Sequence, residues 1–389
     1  MLAFSISGPT IYTEQGILPQ GSVQISHGKI VGFKSNAHSE IRFPDNYHVI
    51  PGLIDLHVHG ANHCDVMDAN PEALSTISKA LAAEGTTAFL ATTMTSAQPA
   101  IENALKVVQA VMQKPQEGAT VLGVHLEGPF ISPKKAGAQC ADHIVLPNIA
   151  LFEHWQQLSG NQIKLVTLAP ELANSDEFIA YLNQQNIIAA IGHSDASYEQ
   201  ALAAIHSGCN YVTHLFNAMR GLHHREPGAV TAALLENVLT EIIVDGVHLH
   251  PAIVQLIVKL KGKEKIILVT DAMRAKCLKE GVYEFGGQSV EVKQGVVRLA
   301  DGTLAGSVLQ MPTAIRNMMH FTQCSLFDAV KMASENPAKA LGIFHKKGSI
   351  ALHKDADLVV LDDQLQVVMT VCEGKIVYQG ELSVLTNEH

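Results

Sequence analysis

Eight times between residues 49 and 269 the chain passes through a short apolar run rich in β-branched residues, and longer helical stretches separate the runs. The apolar runs fall at 49–56, 86–93, 120–126, 163–168, 187–191, 211–214, 241–244 and 266–269. Helices are expected between them at 71–84, 98–112, 149–158, 175–185, 197–206, 229–236 and 251–260, with a last one, after a long loop, at about 312–321. Cap and proline signals at Asn70-Pro71, Asn174-Ser175-Asp176, Ser197 and His250-Pro251 mark several starts. Strands buried on both faces read as unbroken apolar runs, and their alternation with helices implies βαβ units and a parallel sheet. Eight such units fit a closed (β/α)8 barrel better than the rival open, doubly wound sheet.

The two ends of the chain have a different texture. Short alternating segments at 2–7, 21–26, 29–33 and 47–50 are matched by others at 348–351, 357–361, 366–371 and 375–378, with glycine turns such as His27-Gly28 and Glu373-Gly374 between them. The expected organisation is therefore a barrel over 50–345 and one small β-sandwich domain built from 1–49 and 346–389.

Composition narrows the partners and the compartment. A net charge of −10 with no basic run argues against nucleic acid or an anionic membrane surface, so an anionic ligand would need a local cationic pocket. The start has no basic stretch, its first lysine being Lys29, and no apolar run approaches the ~18 residues of a membrane span. Cys64, Cys140, Cys209, Cys277, Cys324 and Cys372 are scattered without a CxxC pair, as expected of buried thiols in a reducing cytoplasm.

Barrel chemistry sits at the C-terminal ends of the strands, and there the polar residues collect. The first run leads to Asp55-Leu56-His57-Val58-His59, where alternation puts both imidazoles on one face. The third ends at Glu127, the fifth at His193, the sixth at His214, the seventh leads to Asp245 and His248, and the eighth to Asp271. Each alone is weak, because a lone histidine is more often structural. Four His, one Glu and one Asp at strand ends form a set suited to zinc or a similar divalent ion.

The motifs Pro51-Gly52-Leu53-Ile54-Asp55-Leu56-His57-Val58-His59-Gly60, His125-Leu126-Glu127-Gly128-Pro129-Phe130, Ile191-Gly192-His193-Ser194, Thr213-His214-Leu215-Phe216-Asn217-Ala218-Met219 and Val269-Thr270-Asp271-Ala272 resemble the amidohydrolase superfamily. Within it they resemble the N-acetylglucosamine-6-phosphate deacetylases, over nearly the whole chain. The resemblance implies a barrel plus a terminal β-sandwich. It implies Glu127, His193 and His214 as ligands of a principal metal, and His57 and His59 as ligands of a second that shares the glutamate. One or two ions per subunit remain open, as does their identity: zinc in the first place, with iron, manganese, cobalt or nickel as alternatives. Lys164, at the start of the fourth run, is at the wrong end to bridge two metals.

The implied reaction is hydrolysis of the acetamide of N-acetylglucosamine 6-phosphate to glucosamine 6-phosphate and acetate. A divalent ion activates water and polarises the carbonyl, and Asp271 matches the family's proton-transferring carboxylate. Arg225 matches a phosphate-binding arginine that reaches into the neighbouring subunit's site, which implies a homodimer or larger homo-oligomer with shared sites. Ala138, Asn217, Ala218, His248 and the Leu304-Ala305-Gly306 turn match positions that contact substrate. Gln139 stands where many relatives carry a substrate-contacting histidine, a departure that bears on sugar recognition. Arg220 reads as either a phosphate contact or a solvated loop residue, and His63, His223, His224 and His250 receive no role. Three other readings stay open: the galacto epimer as substrate, a cyclic-amide hydrolase or aminohydrolase, and a non-catalytic scaffold.

Overall fold

Hydrogen bonds join eight parallel strands into one sheet, running from Leu53–Val58 through Thr86–Thr93, Thr120–Glu127, Ile163–Leu168, Ile188–Ile191, Tyr211–Val212 and Leu239–Ile242 to Ile266–Leu268. The computed structural model describes residues 3–34 and 39–380. Leu2 of the expected 2–7 strand, and residues 35–38 and 381–389 of the expected sandwich segments, lie outside them. The sheet closes just past its last strand: the Asp271 N–H donates to the His57 carbonyl (2.9 Å) and the His59 N–H to the Ala272 carbonyl (2.8 Å). The architecture is a (β/α)8 barrel, and its seam is fastened at the residues that carry the candidate site.

Local chemistry sets the helices around it. Asn70 caps Pro71–Ala83 by accepting from the Ala73 N–H, and Ser197 forms a capping box with Gln200 ahead of Tyr198–His206. His250 caps Pro251–Lys261, its Nδ1 accepting the Ala252 N–H. No helix among the described residues is long and apolar enough to cross a membrane.

The chain termini build two further sheets. One orders Lys29–Gly32, Ser22–Ser26, Phe4–Ser7 and Glu40–Arg42; the other orders Lys375–Gln379, Val367–Cys372, Leu358–Leu361, His48–Pro51, Thr10–Thr13 and Gly16–Leu18. Ile6, Ile25 and Val49 from one end pack with Leu358, Val360 and Val371 from the other. Leu358–Leu361 shows how the sandwich joins the barrel. Leu358 and Val360 face the sandwich core, while Val359 and Leu361, on the opposite face, belong to the barrel core.

The same two-sided burial explains why the expected run at 49–56 is in fact two strands. His48–Pro51 belongs to the sandwich sheet and Leu53–Val58 to the barrel. Both are buried on both faces, and the break falls at Gly52, where a Cβ would meet Thr87 Oγ1 at 2.1 Å. The seventh strand lies two residues earlier than expected, at Leu239–Ile242. The expected long loop contains a three-stranded antiparallel sheet, Gly281–Phe285, Gln288–Lys293 and Val296–Leu299. Phe285, Val290, Val292 and Val297 close its own small core. Two helices, Leu326–Ala333 and Glu335–Ala340, follow the one expected to be last. Thr10–Thr13, Gly16–Leu18 and Glu40–Arg42 are additional strands, whereas the expected strand at 348–351 is reduced to a bridge between Ile350 and Thr13.

Candidate metal centre

The donor atoms converge at the C-terminal mouth of the barrel. His57 is the last residue but one of the first strand and His59 follows two residues on, so both rings point into the same space. Glu127 is the last residue of the third strand. His193, His214 and Asp271 sit just beyond the fifth, sixth and eighth, with φ of 47°, 29° and 49°. These left-handed positions are costly for residues with a Cβ, and non-glycine residues held there cluster at functional sites. Neighbouring backbone hydrogen bonds hold them, from Ser194 N to the Ala218 carbonyl (3.1 Å) and from Ser307 N to the Asp271 carbonyl (2.7 Å).

Glu127 is at the centre. Its Oε1 lies 3.1 Å from Nε2 of both His193 and His214, and its Oε2 lies 3.2 Å from His59 Nε2. His57 Nε2 is 3.4 Å from Glu127 Oε1 and 3.3 Å from His59 Nε2. Asp271 Oδ1 stands 3.3 Å from His59 Nε2 and 3.4 Å from His57 Nε2. Among the described residues Glu127 belongs to two ligand groups, one with His193 and His214 and one with His57 and His59, each with its donor atoms within 4.8 Å of one another; His57 also groups with His214 and Asp271, and with His125 and Glu241. Imidazole nitrogens and carboxylate oxygens facing one another at these distances suit a divalent cation, and the donor set fits zinc and its first-row neighbours.

The electrostatics have the same cause. Burial would push the Glu127 carboxyl up, but His57 and hydrogen bonds from His193 and His214 outweigh it and hold the group well below the usual carboxylate range. Asp271 is held low in the same way, by His57 and His59 against its burial. Burial disfavours a charged His59, yet Asp271 and Glu127 raise it to about 9. His125, one strand position below this layer, goes the other way: burial and then the His57 charge push it well below its ordinary value, and its Nε2 meets Thr167 Oγ1 at 2.7 Å.

A cavity of about 520 Å³ opens above these residues, lined by Ala138, Gln139, Asn217, Ala218, His248, Leu304 and Gly306 among others. Ala305 is fully buried in the small core of the three-stranded insertion and does not line the cavity. Gln139 lines it, but both halves of its amide are engaged within the protein. Oε1 accepts the Thr95 N–H (2.7 Å) and Nε2 donates to Glu127 Oε2 (2.7 Å), so it orients the central carboxylate. His248 Nδ1 is paired with Asp245 Oδ2 at 2.6 Å. Arg225 is exposed, does not line its own chain's cavity, and donates to His224 Nε2. Arg220 is committed to Asp195 through two hydrogen bonds of 3.1 and 2.9 Å. His63 lies beside Tyr283, and His223 accepts the Glu226 N–H.

Sequence reasoning passed over several residues here. Lys134, Lys135 and Arg298 line the cavity and supply positive charge inside an acidic protein. Asp55 accepts from the His57 N–H (3.2 Å) and from Thr270 Oγ1 (2.5 Å), tying the first strand to the segment that presents Asp271. Glu241, fully buried, meets His57 Nδ1 at 3.1 Å. A carboxylate inside an apolar strand was the available signal, since a buried charge requires partners.

The sequence matches the model of the amidohydrolase family over residues 48–377. It is 46% identical over 377 residues to an N-acetylglucosamine-6-phosphate deacetylase of Bacillus subtilis (strain 168), covering 95% of each chain. It is 37% identical to an N-acetylgalactosamine-6-phosphate deacetylase of Escherichia coli O157:H7, covering 94% of this chain and 97% of the relative. The fold is similar to that of a mutant N-acetyl-D-glucosamine-6-phosphate deacetylase from Mycobacterium smegmatis in complex with N-acetyl-D-glucosamine-6-phosphate. There the TM-score is 0.89 and the identity 31%, over 97% of this chain and 99% of the other.

Proposed function

We infer the function from one premise: the chain belongs to the amidohydrolase family. It hydrolyses the acetamide of N-acetyl-D-glucosamine 6-phosphate to D-glucosamine 6-phosphate and acetate, a step of amino-sugar catabolism. The observation that carries this reading is Glu127 standing between two histidine pairs, with Asp271 3.3 Å from the second pair, at the floor of the cavity.

Glu127, His193 and His214 would hold the principal ion, and His57 and His59 with Glu127 would hold a second; zinc is the first choice, ahead of iron, manganese, cobalt and nickel. Bound metal supplies Lewis acidity toward the amide carbonyl and makes water acidic enough to attack near neutral pH. Asp271 accepts the proton of the attacking water and returns it to the nitrogen as the C–N bond breaks, so the amine leaves neutral. Held below the ordinary carboxylate range, it is ionised and ready to accept. His248, fixed by Asp245, together with Asn217, Ala218 and the backbone around Leu304 and Gly306, lines the space for the sugar. The six unpaired cysteines fit a reducing cytoplasm.

Arg225 binds the phosphate of substrate held by a neighbouring subunit, in a homodimer or larger assembly; its exposure, and its place outside the lining of its own chain's cavity, support this. Arg225→Ala should lower kcat/KM for the phosphorylated substrate by about 10–100-fold, the range for losing charge-assisted hydrogen bonds. It should leave the poor turnover of the unphosphorylated sugar nearly unchanged. Unfolding and reassembling it with an Asp271→Asn chain should restore about a quarter of wild-type activity, because randomly paired dimers regain one intact site. Absence of recovery in mixed dimers would place Arg225 outside the partner's site.

The galacto epimer is the second reading, favoured by the similarity to the N-acetylgalactosamine-6-phosphate deacetylase. Acetate release from each epimer, with and without chelator, decides between them. Chelator-sensitive release, faster from the gluco substrate, is the expected result. Faster release from the galacto substrate overturns the assignment, and ammonia without acetate would point to an aminohydrolase.

A further inference from the structure

Glu241 is on the seventh barrel strand, Leu239–Ile242, and has no solvent exposure. A carboxylate in that setting needs hydrogen-bond partners, and those it has are informative. Oε2 faces His57 Nδ1 at 3.1 Å and accepts the His214 backbone N–H at 3.2 Å, while Oε1 accepts the Tyr211 hydroxyl at 2.9 Å. No lysine or arginine is among these partners. The other ring nitrogen of His57 points the opposite way, toward Glu127, His59 and Asp271.

The four imidazoles of the centre are supported unequally from behind. Nδ1 of His193 meets the Lys135 carbonyl at 2.9 Å, and Nδ1 of His59 and of His214 has no hydrogen-bond partner among the described residues. Among the described residues, only His57 has a carboxylate behind it. A ligating histidine that donates its second N–H to a carboxylate is fixed in tautomer and ring orientation and becomes the stronger donor.

We propose that Glu241 is a positioning residue for the second metal: it holds His57 with the proton on Nδ1 and the Nε2 lone pair toward the ion. Tyr211 in turn fixes the carboxylate. By also accepting the His214 N–H, Glu241 ties this histidine to the turn that presents a ligand of the principal ion. The inference rests on the two-ion reading above.

The test is a chelator titration of the zinc-loaded protein, counting ions per chain. Wild type should release two ions in separate steps. Glu241→Gln keeps the shape and removes the charge. It should weaken the more easily removed ion by about 10–100-fold, the usual effect of losing the partner behind a ligand, and leave the other step in place. Tyr211→Phe touches neither ligand nor charge and should weaken the same ion by a smaller factor, which keeps the proposal testable if the Gln variant does not fold. A single ion per wild-type chain removes the two-ion premise. Two ions in wild type with unchanged release from either variant, or equal weakening of both steps, overturns the positioning role alone.

Discussion

Asp271→Asn should lower turnover of the acetylated sugar phosphate by about 10²–10⁴-fold, the range for losing a general acid–base group, while metal content stays at the wild-type level. The substitution is close to isosteric, and the backbone that presents residue 271 is held independently of its side chain. The Asp271 N–H donates to the His57 carbonyl at 2.9 Å and the Asp271 carbonyl accepts from Ser307 at 2.7 Å, while Thr270 is fastened to Asp55 at 2.5 Å. The left-handed φ of 49° is tolerated by Asn as well as by Asp. What disappears is an anionic oxygen 3.3 Å from His59 Nε2 that can take a proton, because an amide neither accepts nor releases one at neutral pH. Metal analysis and single-turnover kinetics on the same preparation check this. Loss of metal together with activity would make Asp271 chiefly a ligand, and full activity would require another base.

Much of the site could be read from the sequence because barrel geometry turns strand ends into addresses. With the eight runs in place, His57, Glu127, His193, His214 and Asp271 fall at the mouth through position alone, and each places a donor atom 3.1–3.4 Å from that of at least one other. The support around them was harder to find, because it comes from contacts distant in sequence. Glu241 meets His57 across 184 positions, and Asp55 meets Thr270 across 215. Gln139 lines the cavity, and the hydrogen bonds of its amide to Thr95 and Glu127 are encoded by no local pattern. His250 receives no role in the site and is the cap of Pro251–Lys261, in keeping with the start signal at His250-Pro251.

The same distinction applies to the fold. Long helices such as Gln98–Met112 and strands such as Thr86–Thr93 match their expected limits, since each carries a full period of its own pattern. The merged run at 49–56 was misread because a sheet lying between two cores is apolar on both faces, which removes the alternation that would separate its strands. The insertion at 281–299 alternates buried and exposed residues, as in Gln288–Lys293, but its core of Phe285, Val290, Val292 and Val297 is completed by Met94 and Met273 from outside the segment.

Glu127→Gln should remove both ions, whereas His59→Asn should remove one. Glu127 alone belongs to both ligand groups, with Oε1 serving His193 and His214 and Oε2 serving His59. Gln preserves the volume but offers a single neutral oxygen, so one ligand group loses its carboxylate donor outright and the other retains only an amide carbonyl. The amide nitrogen, turned toward Oε2's place, would also face the Gln139 Nε2 donor that now sits at 2.7 Å. Affinity at both positions should therefore fall by more than the about 10–100-fold that follows loss of a partner behind a ligand, and turnover should become undetectable against the chelated wild type. His59→Asn leaves Glu127, His193 and His214 intact and should keep one tightly held ion together with part of the activity. Metal analysis after exhaustive dialysis, followed by activity with a graded supply of zinc, separates these outcomes. A Glu127→Gln protein that still holds two ions would move the shared ligand elsewhere, and a His59→Asn protein that loses both would merge the two groups into a single site.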